Sequence, residues 1–116
     1  MCRHDLLDGI APPAFRCEVS RAADVARLRL EGELDIATTP ILEAAIAAQR
    51  GNGSRALVLD LTELRFIDSS GLRCILDTDA ESRLDGFSIA LIQGPPPVHR
   101  IFELTNTETH LSFIRP

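Results

Sequence analysis

The chain contains no lysine: all 12 basic residues are arginine. That absence removes the P-loop lysine of nucleotide-binding enzymes, Schiff-base catalysis and any serine–lysine dyad. Tryptophan and tyrosine are missing as well, which limits base-stacking platforms to five phenylalanines. The three cysteines (Cys2, Cys17 and Cys74) are odd in number and lack CxxC spacing, the pattern of reduced thiols in a cytoplasm rather than of a disulfide framework. No apolar run approaches the roughly 18 residues that cross a bilayer. Met1-Cys-Arg-His-Asp5 has no apolar core of a signal peptide. A formal net charge of −5 argues against nucleic acid or an anionic membrane as partner.

What is present suits one soluble domain. The chain has 116 residues, 45% of them hydrophobic and 25% charged, enough to bury a core without metal or disulfide staples. Residues 1–13 read as a flexible lead-in closed by Ala11-Pro12-Pro13, and residues 14–116 as the domain. Ala14 to Ser20 alternates with Phe15, Cys17 and Val19 on one face. Val25 to Leu30 alternates again, with Leu28 and Leu30 inward and Arg27 and Arg29 outward. Two such runs joined by Arg21-Ala-Ala-Asp24 predict a hairpin with one wet face.

Gly32 marks a bulge or a close backbone approach, and Asp35 falls in the following loop. Thr39 is expected to cap a helix that has Pro40 at its first position and stops at Arg50-Gly51. Gly51-Asn-Gly-Ser54 follows a helix and precedes a strand, the reverse of a phosphate-cradling loop. Arg55 to Leu61 predicts a strand covered on both faces, with Thr62-Glu63-Leu64 as a short connection. A helix from about Ser70 to Asp85 follows, closed by Gly86. Leu72, Ile75, Leu76, Ala80 and Leu84 form its expected inward stripe, with Asp79 paired to Arg83 on the wet side. Phe87 to Ile92 is another strand. A short helix carrying Val98, Ile101, Phe102 and Thr105 ends at Asn106, and Leu111 to Ile114 is a last strand. The order β-β-α-β-α-β-α-β predicts an α/β fold: one mostly parallel sheet with an N-terminal hairpin and three helices.

The chemistry gathers at Arg65-Phe-Ile-Asp-Ser-Ser-Gly-Leu72, a strand-to-helix transition. In a parallel sheet the loops after the strands share one edge, so Asp35, Asp68 and Ser69 are expected to converge. A helix N-terminus suits a phosphate, whereas two nearby carboxylates oppose a permanent anion, a combination that fits a switch better than a store. Read from chemistry alone, Ser69 and Ser70 are more economically helix caps, and Asp35 a local turn residue. Cys74 reads as an inert core thiol. His4, His99 and His110 have no metal-ligand spacing, and Asp68-Ser-Ser-Gly71 is not a G-x-S-x-G elbow. No catalytic group, metal or cofactor is expected.

Leu57-Val-Leu-Asp-Leu-Thr-Glu-Leu-Arg-Phe-Ile-Asp-Ser-Ser-Gly-Leu72 resembles the signature of the STAS family, the domain of anti-sigma factor antagonists. Glu31-Gly-Glu-Leu-Asp35 resembles that family's G-E-L-D segment, and Val98 to Thr105 its C-terminal helix. The three ordered segments cover nearly the whole of residues 14–115. The resemblance implies a bacterial partner-switching cycle in transcription regulation, serving stress response or sporulation. The unphosphorylated antagonist binds an anti-sigma factor that is itself a serine kinase and frees the sigma factor. Phosphorylation of the first serine, here Ser69, switches binding off, and a serine phosphatase restores it. By position, Asp35, Asp68, Ser69, Ser70, Gly71 and Arg73 form the implied docking surface, Gly71 because its missing Cβ lets a partner approach closely. The resemblance thus favours a phospho-acceptor over a cap and selects Ser69. Two alternatives stand beside it: a non-switching STAS scaffold or accessory module in a signalling or lipid-transport complex, and a small-molecule binder at the helix start. Whether the protein forms a homodimer is open.

Overall fold

The computed structural model describes residues 15–115; the lead-in expected over residues 1–13 lies outside them. Strands β1 (Phe15–Ala22) and β2 (Val25–Leu34) form the hairpin. They are followed by α1 (Thr39–Gly51), β3 (Ala56–Ile67), α2 (Ser69–Asp85), β4 (Ser88–Ile92), α3 (Pro96–Leu104) and β5 (Phe113–Ile114). The sheet runs β1-β2-β3-β4-β5, with β1 antiparallel to β2 and every later pairing parallel. Each β–α–β step moves one strand in the same direction, so right-handed crossovers put all three helices on one face. Burial follows that rule along β2. Ala26, Leu28, Leu30 and Leu34 are fully buried, and Arg27, Arg29 and Glu33 are exposed.

On the opposite face charges are answered across strands. Arg29 pairs with Glu18 at 2.6 Å and Glu31 at 3.2 Å, while Arg27 reaches the buried Asp60 at 2.5 Å. Burial alone would raise the Asp60 carboxyl. Hydrogen bonds from Arg27 and from the Thr62 N–H and hydroxyl outweigh it and hold the group below its ordinary value. Strand β3 therefore has one apolar face, not two.

Four local expectations are corrected. Strand β3 continues through Thr62-Glu63-Leu64, pairing Glu31 with Glu63 and Gly32 with Leu64. Register shifts beside Arg29 and Gly32 break the strict alternation there, which is why the segment reads as a loop. Thr38, not Thr39, is the N-cap of α1. The left-handed residue after α1 is Gly53 (φ 85°), with Asn52 as C-cap, rather than Gly51. In α2 the buried set is Gly71, Leu72, Cys74, Ile75, Thr78, Asp79 and Ser82, whereas Ala80 is exposed and Leu84 is 85% exposed. A series stepping by four residues drifts about 40° per step around a helix of 3.6 residues per turn. Leu84 has thus rotated out and Asp79 in. Asp79 still pairs with Arg83 at 2.8 Å, and Arg83 also donates to the His110 carbonyl.

The close approach of α2 to the sheet rests on Gly71. A Cβ there would lie 2.8 Å from Leu34 Cγ and 3.0 Å from Ile67 Cγ1, side chains at the paired ends of β2 and β3. The missing side chain is filled from within the chain and Gly71 is buried, so it offers a docking partner no backbone.

Two stability outcomes are expected from denaturant unfolding. Gly71→Ala overpacks this contact and costs about 1–3 kcal/mol. Arg27→Met leaves Asp60 buried with only Thr62 as partner and costs about 1.5–3 kcal/mol at pH 7. Because the native Asp60 carboxyl lies below its unfolded value, its contribution is present above pH ~4 and is lost as pH falls through the folded value. The gap between wild type and Arg27→Met should accordingly narrow below pH ~4.

Candidate functional site

The C-terminal ends of β2 and β3 lie side by side, with Leu34 opposite Ile67 and the Asp68 N–H donating to the Leu34 carbonyl at 3.1 Å. The two following loops therefore open on one edge of the sheet, and the expected convergence of Asp35 with Asp68 and Ser69 is a consequence of strand register.

Asp35 organises its own loop. Its Oδ1 accepts from the N–H groups of Ala37 and Thr38, each at 3.0 Å, and its carbonyl accepts from the Thr39 N–H at 2.8 Å. The Thr38 hydroxyl has one proton, and the 2.8 Å contact to the Glu33 carbonyl is its best acceptor; the Asp35 N–H in turn donates to that hydroxyl at 2.9 Å. Such an Asx-type turn fixes the chain before α1 without help from α2.

Asp68 caps α2. Its backbone is extended (φ −109°, ψ −173°), and Oδ1 accepts from the N–H groups of Ser70 at 2.8 Å and Gly71 at 3.1 Å. This settles the capping question differently from the reading based on serine chemistry. An aspartate at the N-cap takes two of the unpaired helix donors, so neither serine is needed there. Ser69 is the first helical residue and is exposed, and among the described residues its hydroxyl makes no hydrogen bond. Ser70 is half-buried.

A groove of about 250 Å³ runs between the first turns of α1 and α2, lined in part by Ile36, Pro40, Glu43, Ser70, Arg73 and Asp77. It places Ser70 and the exposed Arg73 on the surface next to Ser69. Its rim holds a residue that the sequence reading passed over: Ile36, 76% exposed, immediately after Asp35. Phe66, 49% exposed just before the helix, is a second apolar group close to Asp68 in sequence. A large aliphatic side chain immediately after Asp35, in a loop with no strand or helix period to bury it, was the available signal. The site residues therefore divide. Ser69, Ser70, Arg73 and Ile36 present surface; Asp35 and Asp68 use one carboxylate oxygen each to hold loops; Gly71 is internal packing.

Cys74 also touches this groove, but it is buried, and loss of solvation lifts its thiol to about 11. A thiol held so far above neutral pH is a poor nucleophile, in keeping with the core role expected of it. No helix among the described residues is long and apolar enough to cross a membrane.

Comparison with known proteins gives this geometry its context. Residues 17–115 match the family model described as "Mlab, STAS domain". The anti-sigma F factor antagonist of Paenibacillus polymyxa is 34% identical over 93 residues, covering 78% of this chain and 79% of that one. The crystal structure of an anti-sigma factor antagonist from Mycobacterium paratuberculosis superposes with a TM-score of 0.78 at 28% identity, over 91% of this chain and 89% of that one. SpoIIAA, an anti-sigma factor antagonist solved in its unphosphorylated and phosphorylated forms, shares the fold. The TM-scores are 0.74 and 0.69 at 20% and 18% identity, over 87% of this chain and 88% and 91% of those chains. With the family model spanning both the hairpin and the Asp68-Ser69-Ser70-Gly71 corner, the chain belongs to the STAS-domain family.

Proposed function

We propose that the protein is an anti-sigma factor antagonist that acts in the cytoplasm by binding an anti-sigma factor serine kinase, and that Ser69 is the residue this kinase phosphorylates. The observation that carries the reading is the aspartate cap. Because Asp68 holds the helix donors, the Ser69 hydroxyl stands exposed at the helix start and among the described residues makes no hydrogen bond. In the transfer, Ser69 Oγ attacks the γ-phosphorus of ATP, ADP leaves, and the hydroxyl proton passes to a base on the kinase. A serine phosphatase then hydrolyses the phosphoester with water, returning the Ser69 hydroxyl and releasing inorganic phosphate. The existence of SpoIIAA in phosphorylated and unphosphorylated forms supports the same cycle here.

The electrostatics explain why modification would release the partner. A phosphoserine adds about −1.5 to −2 charges at neutral pH. The N–H groups of Ser70 and Gly71 are already bound by Asp68, so the phosphate gains little from them; it adds to the charge of Asp35 and Asp68, with the exposed Arg73 one turn along the helix as the neighbouring cation. The bare surface offers a docking kinase an apolar anchor in Ile36 beside two carboxylates, Glu43 and Asp77, and one guanidinium, Arg73, so it suits a segment that carries an apolar side chain flanked by more basic than acidic groups.

Incubation with the cognate kinase and ATP should add one phosphate, lost in Ser69→Ala and retained in Ser70→Ala; mass spectrometry that maps the phosphate elsewhere overturns the assignment. Ser69→Asp should weaken kinase binding more than tenfold, at least about 1.4 kcal/mol by calorimetry. Ile36→Ser should cost about 1.5 kcal/mol or more of binding, the value of withdrawing a buried aliphatic side chain, with no change in the folding midpoint. The competing reading is a non-switching scaffold in which Ser69 is an ordinary surface residue. Recovery of the native protein in a large complex without a kinase, together with no phosphate uptake, would establish it.

A further inference from the structure

Away from the sheet edge that carries Ser69, helix α3 and the segment after it bring together three groups that no spacing rule for histidine and cysteine finds. His99 and Glu103 stand one turn apart on α3. Beyond the helix the chain reverses through Asn106 (φ 58°), and the N–H groups of Thr107 and Glu108 return to the Phe102 carbonyl at 3.0 and 3.4 Å. That reversal sets Glu108 against His99, with His99 Nε2 and Glu108 Oε2 3.1 Å apart. One ligand atom from each of His99, Glu103 and Glu108 lies within 4.8 Å of the others.

We propose that His99, Glu103 and Glu108 form a binding site for a divalent transition-metal cation of the zinc type. Three observations carry this. The imidazole is a fixed ligand: His99 is 7% exposed, and its ring is held edge-on to Phe113 at 5.0 Å and tilted against Phe102 at 5.7 Å. Its Nδ1 is buried without a partner, so the ring meets its polar surroundings only through Nε2, the atom turned to the carboxylates. The two carboxylates are uncompensated. Elsewhere Glu18, Glu31, Asp60, Asp79 and Asp85 each meet an arginine, but among the described residues neither Glu103 nor Glu108 has a guanidinium partner.

The donor set suits the ion. One imidazole and two carboxylates satisfy a borderline cation at about 2.0–2.2 Å each and leave a fourth position for water. Glu103 is exposed and Glu108 half-buried, so both carboxylates have freedom to turn inward toward a common ion. In the metal-free state Nε2–H donates to Glu108. For a metal to bind, Nε2 must give up its proton to solvent so that its in-plane lone pair becomes the ligand, and Nδ1 takes up a proton in its place, keeping the ring neutral. Nδ1–H is then a buried donor without a partner, which makes the site one of moderate affinity, unlike a closed structural zinc centre. A cation there ties α3 to the segment leading into β5, the shortest strand of the sheet.

The test is calorimetric titration of the full chain with zinc chloride, together with its thermal midpoint and the His99 ring NMR signals. One equivalent of zinc should bind, raise the midpoint and shift the His99 ring. Glu103→Gln should leave the metal-free midpoint unchanged, because Glu103 is exposed, yet weaken zinc binding at least tenfold. Glu108→Gln, whose amide oxygen still accepts from Nε2–H, should weaken it likewise. No binding at millimolar zinc, or equal binding by wild type and Glu103→Gln, overturns the site; the second result would put zinc on other histidines or on the cysteines.

Discussion

The fold and the candidate site both depend on the packing of α2 against the paired ends of β2 and β3. Asp68 sits where the last residue of β3 has just paired with the last of β2, and its own N–H extends that pairing to the Leu34 carbonyl. Its side chain then turns and holds the first helical donors, while Gly71 lets the helix settle onto Leu34 and Ile67. Cap and contact act on the same turn of helix. A cap of this kind contributes about 1 kcal/mol, and a side chain in place of the glycine would push the helix from the sheet. Between these two constraints Ser69 and Ser70 have little freedom of placement. Ser69 is presented as a fixed corner at the helix start, the placement that the proposed recognition by a kinase calls for.

Much of this was legible because period and punctuation agreed. The alternation in β2, the apolar run of β3, the glycine after α2 and the helix stop at Asn106 each reported a backbone state with a simple physical cause. Element order then dictated a mostly parallel sheet and brought Asp35 next to Asp68. The failures have causes as definite. Strand β3 seemed to end at Leu61 because its buried residues are spaced by three, Leu61, Leu64 and Ile67, where register shifts interrupt the pleat. The stripe read from the sequence of α2 follows a four-residue ridge that winds around the helix, whereas the buried face follows Gly71, Ile75, Thr78 and Ser82, polar residues included.

Residue roles were less legible than residue positions. Serine and aspartate are both good N-caps, so the run Asp68-Ser69-Ser70 admits three cap assignments, and only the phase of the helix start distinguishes them. Once Asp68 is the cap, the serine that follows is released. Likewise Gly71 reads equally as an opening for a partner or as a contact within the chain. The distance from its absent Cβ to Leu34 decides for the second. Glu103 and Glu108 were invisible as a pair because nothing in the sequence says that the chain returns to α3 after Asn106.

Charge distribution joins the two surfaces. With arginine as the only basic side chain apart from histidine, every internal cation of the fold is a guanidinium, well suited to pairing with carboxylates. On the wet face of the sheet and between α1 and α2 these guanidiniums are engaged: Arg27 with Asp60, Arg29 with Glu18 and Glu31, Arg50 with Glu81 and Asp85 while stacked on Phe87. Part of the acidic excess is left elsewhere. Among the described residues Asp35, Glu43, Asp68 and Asp77, all close to Ser69 or its groove, have no such partner, and neither do Glu103 and Glu108 beside His99. Unpaired carboxylates add nothing to the fold by mutual repulsion, and their clustering is unfavourable unless something else answers the charge. At the edge bearing Ser69 a basic protein surface would answer it, and at α3 a cation would. Paired arginines mark where this chain uses its charge on structure, and the carboxylates without one beside Ser69 and His99 are what the two proposed partners would answer.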